Sequence, residues 1–191
     1  MSIILASASP RRRALMEMLG VQDLIVIPAR GEEKAYSGLA PDELVMRLAA
    51  AKAREVAVSA ASPGDTVIGA DTVVSLSGRV FGKPHTRSEA AEMLSQLSGR
   101  GHEVYTGVCV IKDGRELCRA ERSAVHFREL SKEEIEAYIA TGEPMDKAGA
   151  YGAQGKGALF VRGIEGDFFN VMGLPLCLLG EMLKEQGVEL L

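Results

Sequence analysis

The chain has 191 residues, of which 47% are hydrophobic and 25% charged, so it can bury a core without disulfides or a structural metal, and neither a disordered nor a fibrous protein is indicated. Lys and Arg number 22 against 26 Asp and Glu, a net charge of −4, which argues against broad nucleic-acid binding while leaving room for a local basic pocket. Three widely spaced cysteines, Cys109, Cys118 and Cys177, form neither a CxxC pair nor a disulfide framework and suggest a reducing compartment. No apolar run approaches the roughly 20 residues of a membrane span, and Ile3-Ile4-Leu5-Ala6 is too short for a secretory signal, so a cytoplasmic location is expected.

In chain order, Ile3 to Ala6 read as a short buried strand leading into a helix from Pro10 to Leu19 that stops at Gly20. Ser9 suits the N-cap, and Pro10 the first helical position, where its missing N–H has no partner to lose. Leu24 to Ile27 is a second strand candidate, followed by a polar loop carrying Glu32, Glu33 and Lys34. From Pro41 to Ala57 the pattern is helical, with Val45, Leu48, Ala49 and Val56 on one apolar stripe and Lys52 inside it. Thr66 to Leu76 is a β-rich run interrupted by Asp71, which is expected at a strand end; Ser77-Gly78 turns it back into Arg79 to Gly82.

Thr86 with Glu89 makes a capping-box signal for a helix ending near Gly99. Glu103 to Lys112 and Arg115 to Phe127 read as a long hairpin around Asp113-Gly114, a favoured type I′ pair, and Ser131 with Glu134 opens another short helix. Five glycines, at 142, 149, 152, 155 and 157, then punctuate a stretch too broken for a regular element and suited to lining a site. Leu159 to Ile164 is a last strand candidate and Leu174 to Gln186 a closing helix. This mixture predicts a single α/β domain over 1–191, with a mixed rather than purely parallel sheet.

Several residues could carry chemistry. Ser7-Ala8-Ser9-Pro10-Arg11-Arg12 joins a strand end, hydroxyls, a helix N-terminus and guanidinium groups, a setting that favours phosphate; a plain helix cap with solvated arginines explains it equally well. It is not a Walker A loop, which needs GxxxxGK[ST]. Asp71 within an apolar strand demands a cation or a reacting water, because burying it unpaired is costly. Lys52 and Lys83 pose the converse problem, and structural ion pairs are the bland account of all three. Glu32-Glu33 could join Asp71 in sharing Mg²⁺ with phosphate oxygens and water, since such ions take few protein ligands. The scattered His85, His102 and His126 show no zinc spacing. Gln154 carries one acceptor and one donor group on a planar amide, which matches the mixed edge of uracil or thymine.

Taken together, Ile4 to Arg12, Gly69-Ala70-Asp71-Thr72-Val73-Val74, Gly82-Lys83-Pro84, Leu97-Ser98-Gly99-Arg100, Asp146 to Gly155 and Val171-Met172-Gly173-Leu174-Pro175 resemble the Maf family of nucleoside triphosphate pyrophosphatases. The resemblance implies a mixed α/β fold with an elongated central sheet flanked by helices, a cleft between two lobes, and commonly a homodimer. It implies hydrolysis of a nucleoside triphosphate to monophosphate and pyrophosphate with Mg²⁺ or Mn²⁺, and no nucleic-acid or membrane partner. Carried onto this chain, it implies that Ser7, Arg12, Glu33, Lys52, Asp71 and Lys83 serve phosphate, metal and catalysis, with Glu33 and Asp71 on the metal, and that Arg11, Thr72 and Gln154 govern substrate choice. Arg11 after Pro10, Thr72 after Asp71 and Gln154 in the glycine-rich loop resemble the dTTP/UTP branch rather than the 7-methyl-GTP branch. Ala29-Arg30-Gly31-Glu32-Glu33 departs from the family pattern and leaves Glu32 as the alternative to Glu33. A nucleotide-binding regulator of cell division and a pyrophosphatase for 7-methyl-GTP or another modified nucleotide are the competing functions at this point.

Overall fold

A computed structural model describes residues 2–21, 23–31 and 38–191. Among these residues seven strands form one mixed sheet: β1 (Ile3–Leu5), β2 (Ile25–Val26), β3 (Thr66–Leu76), β4 (Arg79–Phe81), β5 (Gly101–Lys112), β6 (Arg115–Phe127) and β7 (Val161–Glu165). Their order is β2-β1-β3-β5-β6-β7, with β4 paired to β3. The β2-β1-β3 end is parallel and the remainder antiparallel. The helices are α1 (Pro10–Met18), α2 (Pro41–Ala60), α3 (Arg87–Leu97), α4 (Lys132–Ala140), α5 (Phe168–Met172) and α6 (Leu176–Glu185).

Local signals account for most boundaries. Ser9 caps α1 by accepting from the Arg12 N–H, with Pro10 in the first turn. Ser77-Gly78 and Asp113-Gly114 all have positive φ, as two-residue type I′ turns require, and they close the β3–β4 and β5–β6 hairpins. Ser131 and Glu134 complete a reciprocal capping box on α4. On α3 only half of the expected box forms: Thr86 accepts from the Glu89 N–H, but the Glu89 carboxylate reaches past the cap to the His85 N–H. The glycine-punctuated stretch is not unstructured, because it winds into short 3₁₀ turns over Glu143–Asp146, Ala148–Ala150 and Gly155–Phe160. The last of these absorbs Leu159 and delays the final strand to Val161, and α5 was not expected from the sequence.

Asp71 is not at a strand end. The eleven residues of β3 run unbroken, and Asp71 stands opposite Gly107 of β5. The strand tolerates it because a cation meets the carboxylate in place, as described below. The two edges of β3 explain the position further. One edge pairs with β5 from Thr66 to Ser75. On the other, β1 pairs only Thr66 to Ile68 and β4 only Val74 to Leu76, so among the described residues the intervening edge has no strand partner.

Alternation along β3 and β5 divides the core. Val67 and Cys109 face α2 together with its Ala49, Ala50 and Ala53. Ile68, Ala70, Val108 and Val110 face the opposite way, against Leu15 and Met16 of α1 and Leu179, Met182 and Leu183 of α6. Further along that second face Val74, Val104, Val125 and Phe127 pack with α3 and α4. Between these two apolar clusters lies the cross-strand pair Thr72 and Thr106. A polar seam therefore separates two lobes built on one continuous sheet.

Candidate active site

The gap beside β3 opens into a cleft of about 740 Å³, lined by Ser7, Arg11, Arg12, Lys52, Asp71, Thr72, Lys83 and Gln154 among others. Eight of the nine residues singled out from sequence thus surround one cavity. Glu33, the ninth, and its alternative Glu32 lie outside the described residues. Among the described residues, five basic side chains line the cleft (Arg11, Arg12, Lys52, Lys83 and Lys147) against two carboxylates, Asp71 and Asp146. A protein of net charge −4 has gathered positive charge here, which favours a polyanionic ligand.

The Lys52–Asp71 pair forms the wall under α2. Asp71 is 8% exposed, and its Oδ1 accepts from the Lys52 ammonium. The close approach of helix to sheet is set by two glycines. A Cβ on Gly69 would lie 2.3 Å from the Ala49 carbonyl oxygen, and one on Gly107 2.3 Å from the Val45 carbonyl. With the small side chains of α2 facing these glycines, Lys52 reaches Asp71 although it sits among buried alanines. Asp71 Oδ2 makes no hydrogen bond among the described residues.

Arg12 forms the opposite wall. Its Nε donates to the Gly173 carbonyl at 2.7 Å, NH1 to the Ala70 carbonyl at 2.9 Å and to Ser7 Oγ at 3.2 Å, and NH2 to Thr72 Oγ1 at 3.0 Å. The Ala70 carbonyl belongs to the unpaired edge of β3, so the guanidinium takes the place of a neighbouring strand there. Thr106 Oγ1 donates to the Asn170 carbonyl at 3.0 Å, so the bond between the two threonines, at 2.9 Å, has Thr72 as donor, and Thr72 in turn accepts from Arg12. Arg12 is a fixed cation rather than a swinging arm.

Arg11 extends the other way, donating to Asp146 Oδ2 at 3.1 Å, while Asp146 Oδ1 accepts from Lys147 at 2.6 Å. Burial alone would raise the Asp146 pKa, but the Lys147 and Arg11 cations outweigh it and hold the group below its ordinary value. Lys83 is exposed just beyond β4, and the neighbouring Gly82 carbonyl accepts from the Gly149 N–H at 3.0 Å, which ties this segment to the glycine-rich turns.

Gln154 is exposed on those turns, and its side-chain amide makes no hydrogen bond among the described residues. The backbone around it is braced from behind. Glu143 accepts from the N–H groups of Lys156 at 3.1 Å and Gly157 at 3.2 Å and from the Tyr138 hydroxyl at 2.9 Å; that hydroxyl accepts in turn from the Gly152 N–H. Tyr151 bonds to the buried His102 at 2.8 Å. Gly149 and Ala150 both have positive φ, and the Gly149 position has no room for a side chain because a Cβ would meet Val74 at 2.8 Å.

The Maf-like protein family matches residues 2–186 of this sequence. The chain belongs to that family. Its relatives include a dTTP/UTP pyrophosphatase of Moorella thermoacetica, 53% identical over 98% of this chain and 96% of the relative. Another carries the same name in Thermococcus gammatolerans, at 52% identity over 99% and 98% of the two chains, and a third in Bacillus anthracis, at 47% over 98% and 96%. Of the Maf-like motifs quoted from the sequence, all but Leu97-Ser98-Gly99-Arg100 contribute residues to the cleft. Sequence reasoning missed the supports of this Maf-like site: Thr106, Asn170, Tyr138 and Glu143. The Glu143 to Gly157 spacing carried no recognisable signal, and Thr106 is one of several small polar residues on an ordinary alternating strand.

Proposed function

We propose that this chain hydrolyses dTTP and UTP to the nucleoside monophosphate and pyrophosphate. The observation that carries the reading is the cleft itself: among the described residues, five basic side chains around the deeply set Asp71 carboxylate, with the planar amide of Gln154 on the rim. Relatives named dTTP/UTP pyrophosphatase at about half identity over nearly the full length support the choice of nucleotide.

In this reading a water attacks the α-phosphorus, the bond from that phosphorus to the bridging oxygen breaks, and pyrophosphate leaves with the bonding pair. Asp71 Oδ2 orients the water and takes its proton, while Lys52 holds Oδ1 in place. Arg12 and Lys83 neutralise charge growing on the leaving group, and Ser7 presents a hydroxyl beside it. Arg11, Thr72 and Gln154 shape the nucleoside end, Gln154 by pairing its amide with the donor and acceptor edge of the pyrimidine.

The donor set fits a hard divalent cation, Mg²⁺ or Mn²⁺. Asp71 offers a carboxylate oxygen, as suits an ion that takes few protein ligands and completes its shell with phosphate oxygens and water. Asp71 and Glu33 would hold it, and when bound it would neutralise phosphate charge and polarise the attacked phosphorus. No helix among the described residues is long and apolar enough to cross a membrane, and Cys109, Cys118 and Cys177 are free thiols; the cytoplasmic location remains part of the proposal. A homodimer completes the reading and is checked by light scattering on the purified chain.

The deciding experiment is pyrophosphate release from a panel of canonical and modified triphosphates with Mg²⁺ or Mn²⁺. Preferential turnover of dTTP and UTP is expected. Binding without pyrophosphate release would favour a regulator, and preference for a methylated guanine nucleotide would overturn the substrate assignment.

A further inference from the structure

Away from the cleft, two of the three cysteines stand in register on neighbouring strands. Cys109 of β5 lies directly opposite Cys118 of β6, and Glu116, two residues earlier on β6, projects on the same face as Cys118. One ligand atom from each of Cys109, Glu116 and Cys118 lies within 4.8 Å of the other two, and these three are the one such group of His, Cys, Asp and Glu found among the described residues. We propose that Cys109, Cys118 and Glu116 form a binding site for a thiophilic, tetrahedral divalent cation of the zinc class, separate from the substrate cleft.

The spacing suits such an ion. Bond lengths of about 2.3 Å to sulfur and about 2.1 Å to oxygen give tetrahedral edges of about 3.8 Å between sulfurs and about 3.6 Å between sulfur and oxygen. Cys118 Sγ lies 3.5 Å from Glu116 Oε1. Arg54 leans over from α2 and grips Glu116 with two bonds, Nε to Oε2 at 2.7 Å and NH2 to Oε1 at 2.6 Å. A ligating carboxylate is commonly held in this way by a hydrogen-bond donor behind it. The charges also balance, because the guanidinium and a divalent cation together neutralise two thiolates and a carboxylate. Access is open on one side: Cys109 is buried beneath α2, Cys118 is half-buried and Glu116 is exposed, so an ion would enter past Glu116 and leave water as its fourth ligand. This donor set differs in kind from the cleft, where hard oxygen ligands suit Mg²⁺ or Mn²⁺.

The test uses the full chain, reduced with a phosphine and stripped with chelator, then titrated with Co²⁺ as a spectroscopic probe and with Zn²⁺ in competition. One equivalent of Co²⁺ is expected to bind, with a thiolate-to-cobalt charge-transfer band and intense tetrahedral ligand-field bands that Zn²⁺ bleaches. Cys118→Ser removes the charge-transfer intensity of its sulfur and weakens uptake at least about tenfold, Arg54→Gln weakens it about tenfold, and Cys177→Ser leaves it unchanged. Circular dichroism verifies that each variant is folded. Absence of the charge-transfer band in the wild type, a spectrum of oxygen ligands only, or equal uptake by folded Cys118→Ser overturns the proposal. So does a mass two hydrogens short under reductant, which would mark the cysteines as a disulfide.

Discussion

Asp71 and Thr72 are consecutive residues of β3 whose side chains serve opposite faces of the sheet: Asp71 meets Lys52 of α2, and Thr72 meets Arg12 of α1. The strand's period of two therefore delivers an acid–base pair to one wall of the cleft and an anchored cation to the other, from adjacent positions. The unpaired stretch of β3 edge between β1 and β4 is what lets both walls border the same cavity.

The role of Asp71 is tested by Asp71→Asn, which keeps the shape and removes the base. Turnover of dTTP is expected to fall by roughly 10²–10⁴-fold with the fold intact. Wild-type rates in the purified variant would end the assignment.

Thr106 never touches the cleft's contents in this reading, yet it fixes the direction of the Thr72 hydroxyl. Thr106→Val keeps the volume but leaves the Thr72 hydroxyl without its acceptor and takes one of two donors from the Asn170 carbonyl, which keeps the Gly173 N–H, so a loss of about 1–3 kcal/mol in stability is expected. The pyrophosphatase kcat should drop with it, and Thr106→Ser should restore both. Denaturant titration and steady-state kinetics on the pair of variants read this directly.

Gly107 carries no chemistry, and its effect is on spacing. In Gly107→Ala the new methyl would meet the Val45 carbonyl 2.3 Å away, so α2 must lift from the sheet. Destabilisation of about 1–3 kcal/mol is expected, together with reduced turnover as Lys52 withdraws from Asp71. An alanine variant with unchanged denaturation midpoint and kinetics would show that the helix is not held this closely.

For Gln154→Ala, kcat/KM should fall about tenfold for dTTP and UTP, the worth of one or two hydrogen bonds, and less for purine triphosphates. An equal loss across bases would remove its recognition role. Glu143→Gln offers a comparison, because it loosens the turns behind Gln154 while leaving the amide itself in place.

His102 makes stability depend on pH. Burial first, and then the nearby His126, lower its pKa from 6.5 to about 4, so the unfolded chain binds a proton that the folded chain refuses throughout that interval. The contribution is fully present above pH 6.5 and is lost as pH falls toward 4, on the order of 3 kcal/mol in total. Denaturation midpoints measured across that window should decline in the wild type and decline less in His102→Gln.

Much of the site is legible in the sequence because its parts have local signatures. Ser9-Pro10 announces a helix start and Asp113-Gly114 a hairpin, and Asp71 and Lys52 stand out as charges where the pattern calls for apolar groups. These are short-range consequences of backbone geometry and of the cost of burying charge, so they can be read from neighbouring residues. Other features depend on partners far away in the chain. Asp71 was expected at a strand end because the sequence does not show that Lys52 arrives over it, nor that Gly69 and Gly107 let α2 come so near. The fixing of Arg12 by Ala70, Thr72 and Gly173 spans 161 residues. The sequence by itself determined the kinds of groups and the elements that carry them, since those follow from local preference and period. Tertiary structure alone decided which groups face one another, because that depends on which edge of β3 stays unpaired and how closely a helix can approach the sheet.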